Sequence, residues 1–399
     1  MKSPARRLTG GALLCSLTLC VAASKVQARD TNRVQVLSVG RSAALADSDG
    51  LDASNSNQSR TRFPKAPELS WRARLPGGIG QAPVSDEAGN LIIVHTEPRL
   101  SKLDGKGRTL WSERLPSEAS CAPALLSDGS ILIVTREAEA LSFSANGAQQ
   151  ARGRVPFSDP RRRTLAIATH SGGALISSGS ELVELDARAH IVRQTQLRGN
   201  ACALLASGSD LIAVSDAGVV ERGHPTGDFE LVGGFGGNVN DGAALRAGKV
   251  LAIVDTHKWL ALDLTSGRVT PLALDAASIL SGPAALFETR GGALIVDNGF
   301  ISLRDRDGTE TLRVAIGAGG PSFDPTLRGQ RAARVISDRA GALAAVQAGN
   351  DALMLAPDGS VARFEGTSCL EPLRPTPTLG GVIFSCRSGQ LFGVSGRAQ

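Results

Sequence analysis

An all-β fold built from repeated four-stranded units, a β-propeller of eight blades or alternatively seven, is predicted by three features of the 399-residue chain. The first is self-similarity at an offset of about 40 residues, the length of a four-stranded blade. The second is a run of short apolar segments separated by turn residues, with no sustained helical period. The third is a spare strand at one end of the repeat region that matches a missing strand at the other.

The repeat shows first in the paired residues. Ala82-Pro83 falls on Ala122-Pro123, Gly89 on Gly129, Leu91 on Ile131, Ile93-Val94 on Ile133-Val134, Gly107 on Gly147 and Pro116 on Pro156. Gly208, Leu211 and Val214 fall on Gly248, Leu251 and Val254 in the same way. Glycine anchors recur at Gly89, Gly129, Gly173, Gly208, Gly248, Gly292, Gly341 and Gly381. Much of the high content of 46 glycines is thereby placed in turns. Each unit reads as a strand after Ala-Pro, a Gly turn, an apolar run, a second turn, a strand ending near Leu-Asp, another Gly turn and a fourth strand. The last unit, from Pro375, holds only about three strands. Leu69 to Leu75 stands alone before the first unit, so pairing the two ends closes the ring and leaves no unpaired blade edge there.

The remaining segments follow from composition. Lys2, Arg6 and Arg7 precede a mostly apolar run from Gly11 to Ala23, and Val26-Gln27-Ala28 fits a small-residue cleavage site. Residues 1–28 therefore read as a secretory signal, with the run too short for a membrane span. The protein is expected to be exported, periplasmic or extracellular, with no transmembrane segment. Leu14 and Leu19 stand where a lipobox has a small residue before Cys15 and Cys20, so a lipid anchor is not expected. Residues 29–66 are polar and read as a disordered linker. Residues 67–399 form the propeller.

Charge excludes a nucleic-acid partner. The formal charge is +5, but Lys2, Arg6, Arg7 and Lys25 lie in the signal, which carries no acid. Beyond it the charges nearly balance, with no broad basic tract. With aromatics at 4% and no Tyr, a sugar-binding platform is poorly supplied.

Leu103-Asp104-Gly105-Lys106-Gly107-Arg108-Thr109-Leu110-Trp111 resembles the repeat of the pyrroloquinoline-quinone (PQQ)-like β-propellers. Leu185-Asp186, Leu262-Asp263 with Gly267, and Ala356-Pro357-Asp358-Gly359 are weaker copies, and Ala151 replaces the Trp in the second unit. The resemblance implies that Asp104 and Gly107 make the turn before an outermost strand and that Trp111 packs between blades. In length, blade number and export signal the chain is also similar to the propeller lipoproteins of the outer-membrane β-barrel assembly machine. Propeller faces bind extended segments through loops and exposed edges, and the sequence offers loops and no evident catalytic set, so a non-catalytic scaffold or envelope assembly factor is expected, monomeric, with a protein or peptide partner and no cofactor. The alternative, implied by the PQQ-like resemblance, is a quinoprotein-like oxidoreductase holding PQQ and Ca2+ over the central channel. No Cys-Cys pair of the kind such enzymes carry is present.

Candidate sites are few. Arg161-Arg162-Arg163, between the second and third units, suits forked hydrogen bonds to a carboxylate or phosphate. The stretch from Gly317 to Arg331 lengthens one repeat, and insertions in repeat proteins gather on a binding face. Phe323, Arg328 and Arg331 are its candidate contacts. Asn240-Asp241 offers an amide and a carboxylate for calcium but reads as a turn before an inner strand. His95, His170, His190, His224 and His257 have no zinc spacing and read as surface or turn residues, so no metal site is expected. No G-x-S-x-G elbow appears. Cys369 and Cys386 bracket an up-and-down strand pair and so end on the same side, open to a disulfide; Cys121 and Cys202 read as small buried residues.

Overall fold

The computed structural model describes residues 59–396, apart from 160, 161, 163, 170, 208, 209, 224–227, 247, 256–257, 272–292, 298–299, 305–309, 316–333, 339–343, 349–350, 357–359 and 370. Among these, 31 strands form eight antiparallel sheets, seven of four strands and one of three. The chain is an all-β propeller.

Strand β1 (Pro67–Arg74) is followed by the first sheet, β2 (Val84–Ser85), β3 (Leu91–Val94), β4 (Arg99–Leu103) and β5 (Thr109–Arg114). The second holds β6 (Ala124–Leu125), β7 (Ile131–Val134), β8 (Glu139–Phe143) and β9 (Gln149–Arg154). The third holds β10 (Thr164–Ala168), β11 (Ala174–Ser178), β12 (Glu181–Leu185) and β13 (Ile191–Gln196). The fourth has β14 (Ala201–Ser207), β15 (Asp210–Ser215), β16 (Val219–Gly223) and β17 (Phe229–Gly234). The fifth has β18 (Val239–Arg246), β19 (Lys249–Val254), β20 (Lys258–Asp263) and β21 (Val269–Pro271). Three strands, β22 (Ala293–Asp297), β23 (Phe300–Arg304) and β24 (Glu310–Ala315), make the sixth. The seventh comprises β25 (Arg334–Ser337), β26 (Ala344–Ala348), β27 (Asp351–Leu355) and β28 (Val361–Phe364). The eighth orders β29 (Thr376–Thr378), β30 (Gly381–Ser385) and β31 (Gln390–Gly396) outward to β1.

Among the described residues, burial grades outward through the first and second sheets, from wholly buried second strands to largely exposed outer ones. The second strands β3 and β7 are buried at every position, because neighbouring sheets cover both faces. The outer strands alternate half-buried and exposed residues, since only one of their faces meets a neighbour: β1 does so along its whole length and β13 over its second half. Apolar clusters fill the spaces between sheets. Ile92, Val94 and Leu100 of the first pack with Leu125, Ile131 and Phe143 of the second. Leu75, Ile79, Leu91 and Ile93 pack with Ile383 and Leu391 of the eighth. The chain's first described strand thus completes its last sheet, with β1 running antiparallel to β31 from Pro67↔Gly396 to Arg74↔Gln390.

The linker assigned to residues 29–66 needs correcting at its end. Phe63 is buried with Phe364, Phe384 and Phe392, and the Thr61 hydroxyl donates to the Thr378 carbonyl (3.4 Å). Among the described residues 59–66, a buried aromatic ring anchors a segment whose composition is that of a tether. The backbone of Asn240 and Asp241 belongs to β18, at a register shift between Val239 and Ala243, where a turn was expected. An irregularity inside a strand accommodates Asn-Asp-Gly as readily as a turn does.

Candidate functional site

Two kinds of connection emerge at one end of the strands: the hairpins joining second to third strands, and the longer links from each outer strand to the next inner strand. Backbone hydrogen bonds tie them together at corresponding places. Arg136 N donates to the Glu118 carbonyl (2.8 Å), Asp216 N to Asn200 (2.8 Å), Asp255 N to Asn238 (2.9 Å) and Arg387 N to Glu371 (3.0 Å). Side chains repeat the tie. Arg136 pairs with Glu118 at 2.8 Å and Arg387 with Glu371 at 3.1 Å. Asn200 Nδ2 donates to Asp216 Oδ2 at 3.1 Å, and Asp255 accepts from Asn238 N (3.0 Å) and pairs with Lys258 (3.1 Å). Among the described residues, these links and hairpins are therefore tied to one another through both main chain and side chains. These pairs are not among the residues the sequence singles out. Asn200 lies 16 positions before Asp216 and bonds through its side chain, whereas Asn238, 17 positions before Asp255, bonds through its main-chain N–H and leaves no mark in the residue type.

Arg162 lies on this face, in the link from β9 to β10. Its Nε is 3.3 Å from Asp159 Oδ2, its N donates to the Asp159 carbonyl (3.2 Å), and its side chain is largely exposed. Arg161, Arg163, Phe323, Arg328 and Arg331 lie outside the described residues. Cys369 and Cys386 form a disulfide with Cα atoms 5.6 Å apart, beside Gln347, whose Nε2 is 3.6 Å from Cys386 Sγ. Cys121 and Cys202 are buried.

His95 sits in the β3–β4 hairpin, the turn position among those expected of it, but it is buried rather than at the surface. Its Nδ1 lies 3.2 Å from the Pro76 carbonyl and its Nε2 2.9 Å from Ser101 Oγ, which is 2.9 Å from Ser112 Oγ. Burial pushes the imidazole below its ordinary pKa, against the opposing pull of the Pro76 carbonyl. A neutral ring bridging two strands suits a structural role.

At the other end of the strands the Asp-to-Gly motif makes the turn before the outer strand. Asp104 Oδ1 accepts from Lys106 N and Arg108 N, both at 2.9 Å, while Oδ2 accepts from Arg108 Nε at 2.7 Å. Gly107 N donates to the Asp104 carbonyl, and Gly107 has φ +78°. Partial burial raises the Asp104 pKa, but the hydrogen bonds from Arg108 and Lys106 outweigh it and hold the carboxyl below the usual range. Asp186, with His190 and Arg188 as donors, behaves likewise. In Asp263 the backbone and hydroxyl of Ser266 lower the pKa most.

Tryptophans lock these turns to the preceding sheet. Trp71 of β1 donates from Nε1 to the Gly105 carbonyl (2.9 Å), and Trp111 of β5 donates to the Ala145 carbonyl (3.2 Å). Each indole lies over a glycine: a Cβ on Gly107 would stand 2.7 Å from Trp71 Cζ3, and one on Gly147 2.8 Å from Trp111 Cδ2. Asp104, Gly107 and Trp111 are thus parts of the frame that carries the opposite face.

No protein-family model matches the chain, and no curated protein matches its sequence. Solved structures do match in fold. BamB from Moraxella catarrhalis is similar with a TM-score of 0.61 at 15% identity, covering 84% of this chain and 99% of that one. The C-terminal WD40 domain of Sif2 gives 0.61 at 11% identity, covering 84% and 100%. The computationally designed Ika8 protein gives 0.59 at 11%, covering 83% and 100%. The likeness is one of fold, BamB-like in its propeller architecture.

Proposed function

We propose that this propeller is an exported, non-catalytic scaffold that binds a protein or peptide segment on its loop-bearing face, as an envelope assembly factor. The observation that carries the reading is the tied set of connections on that face. Glu118–Arg136, Glu371–Arg387, Asn200–Asp216 and Asn238–Asp255 hold links and hairpins in one arrangement. Loops ordered in advance lose less entropy on association, which favours recognition of a partner surface. The fold likeness to BamB, together with the signal read over residues 1–28, supports an envelope location.

Crosslinking of the full chain in envelope fractions tests the proposal, with N-terminal sequencing of the mature protein alongside. The expected result is cleavage after Ala28 and a specific protein partner. Recovery of no partner overturns it. So does stoichiometric calorimetric binding of PQQ with Ca2+ accompanied by dye-linked alcohol oxidation, the behaviour of a quinoprotein oxidoreductase.

A further inference from the structure

Three consecutive sheets end their outer strands in the same way. Arg74-Leu75-Pro76 closes β1, Arg114-Leu115-Pro116 closes β5 and Arg154-Val155-Pro156 closes β9. These are the outer strands of the eighth, first and second sheets, which pack side by side. The aliphatic residue is buried each time, and its N–H donates to the neighbouring hairpin: Leu75 to the Gly389 carbonyl, Leu115 to Pro98 and Val155 to Ala138, at 2.8 to 2.9 Å. The arginine before it is exposed in all three, so a buried anchor fixes the place from which each side chain projects.

The anchor recurs where the arginine does not. Leu197 N donates to the Ser180 carbonyl and Phe235 N to Gly218, yet Gln196 and Gly234 hold the preceding position. Gln196 is satisfied locally, donating to Ser180 Oγ at 2.6 Å. The fold therefore requires the buried residue and not the arginine. Most nearby cations have acids: Arg136 has Glu118, Arg152 has Glu139 and Arg193 has Glu184. Arg74, Arg114 and Arg154 make no ion pair among the described residues. In the strand registers Arg114 stands directly opposite Arg99, a like-charge placement that costs stability, Arg74 stands opposite Gln390, and Arg154 stands opposite Glu139, whose carboxylate is bonded to Arg152. Glu113, next to Arg114, projects to the other side of the strand.

We infer that Arg74, Arg114 and Arg154 form a docking row for an extended acidic segment of a partner protein. The inference rests on the scaffold reading above and locates its contact at the rim of the loop-bearing face. Guanidinium forks match carboxylates in two-point hydrogen bonds. Charges carried by three separate sheets are met together only by a segment that crosses from one sheet to the next.

The test uses the full mature chain and a fluorescent peptide of roughly 12 residues alternating Glu and Gly, read by anisotropy. Binding is expected to weaken about tenfold in the Arg74→Glu/Arg114→Glu/Arg154→Glu variant and to weaken with added salt. A control with equal charge change at the far end of the strands, Lys106→Glu/Arg188→Glu/Arg268→Glu, is expected to keep its affinity. Equal loss in both variants, or binding of phosphatidylglycerol vesicles in place of the peptide, overturns the row. Thermal unfolding verifies that the variants are folded, and Arg114→Gln alone, expected to give a smaller loss, serves if the triple variant is not. Envelope crosslinking separates the two readings. A partner held equally by wild type and row variant overturns the row and leaves the scaffold; no partner at all, with peptide binding intact, overturns the scaffold and leaves an anion-binding row.

Discussion

The seams between sheets are closed in two ways. Where the eighth sheet meets the first, and the first meets the second, an indole fills the space above the turn: Trp71 on Gly107 and Trp111 on Gly147. Where the second meets the third, the outer strand carries Gly153, and a Cβ there would stand 2.5 Å from the Ala189 carbonyl. Gly233, in the fourth sheet, approaches the Gly267 carbonyl of the fifth similarly. The turn closes in the same place in all four, with a main-chain bond from residue 107, 147 or 189 back three positions to 104, 144 or 186, and from 267 back four positions to 263 in a turn one residue longer. The backbone of the turn is thus the constant of the repeat, while the filling is either a large ring with a hydrogen bond or direct contact of main chains.

Removing an indole should break the first kind of seam most severely. Trp111→Ala forfeits its packing against Gly147 and leaves the Ala145 carbonyl with Lys102 Nζ alone (3.1 Å) as a side-chain donor. A loss of about 3 kcal/mol is expected, readable by urea denaturation. Gly153→Ala acts on the second kind. Its φ is not in the left-handed region, so the cost comes from contact with the Ala189 carbonyl alone, about 1 to 3 kcal/mol.

A double-mutant cycle sharpens the contrast. Gly147 has φ +91°, so Gly147→Ala suffers both backbone strain and collision with Trp111. In a Trp111→Ala background the collision is gone and only the strain remains. The two changes are therefore expected to be less than additive by about 1 to 2 kcal/mol. Full additivity would show that the indole does not rest on the glycine.

These seams also explain how far the residues disclose the structure. The 40-residue offset, the turn glycines Gly89, Gly129 and Gly248, and the incomplete ends were legible, because turns and short buried strands leave strong local marks. Trp111 was legible through its motif. Gly153 was not, since a glycine needed for a contact one sheet away looks like any other strand glycine. The turn position of His95 was legible but its burial was not, because nothing local shows that this hairpin folds under Pro76. Phe63 was lost in the average of a polar stretch. Of the site, the loop-bearing face followed from the repeat, whereas Glu118 with Arg136 and Glu371 with Arg387 join residues on separate elements and have no short-range signature.

Acid should loosen the turns. Asp104, Asp186 and Asp263 have folded-state pKa values below the ordinary value of about 4. Their contribution is thus complete above that value and lost as the pH falls through the lower folded pKa. Asp104→Asn removes the charge while keeping an oxygen acceptor, and should flatten the dependence of the unfolding midpoint on pH below about 4. The effect is small because these carboxyls are near the surface, where solvent screens them. An unchanged acid profile would show that Asp104 gains nothing from its ionised form.

The smallest change runs the other way. Ala189 occupies the place that glycine takes at 107, 147 and 267, with φ 59°. A side chain in that region costs about 1 to 2 kcal/mol, whereas glycine adopts it freely. Ala189→Gly removes this strain, offset by the greater entropy of glycine in the unfolded chain and by the loss of a buried methyl. The net expectation is a gain of about 0.5 kcal/mol, seen as a slightly higher urea midpoint with an unchanged slope. Destabilisation would mean that the methyl, packed among Val183, Leu185 and Val155 between the second and third sheets, matters more than the backbone. In that case this seam too is held by a side chain, and the division into indole-filled and main-chain-filled seams fails at its second kind.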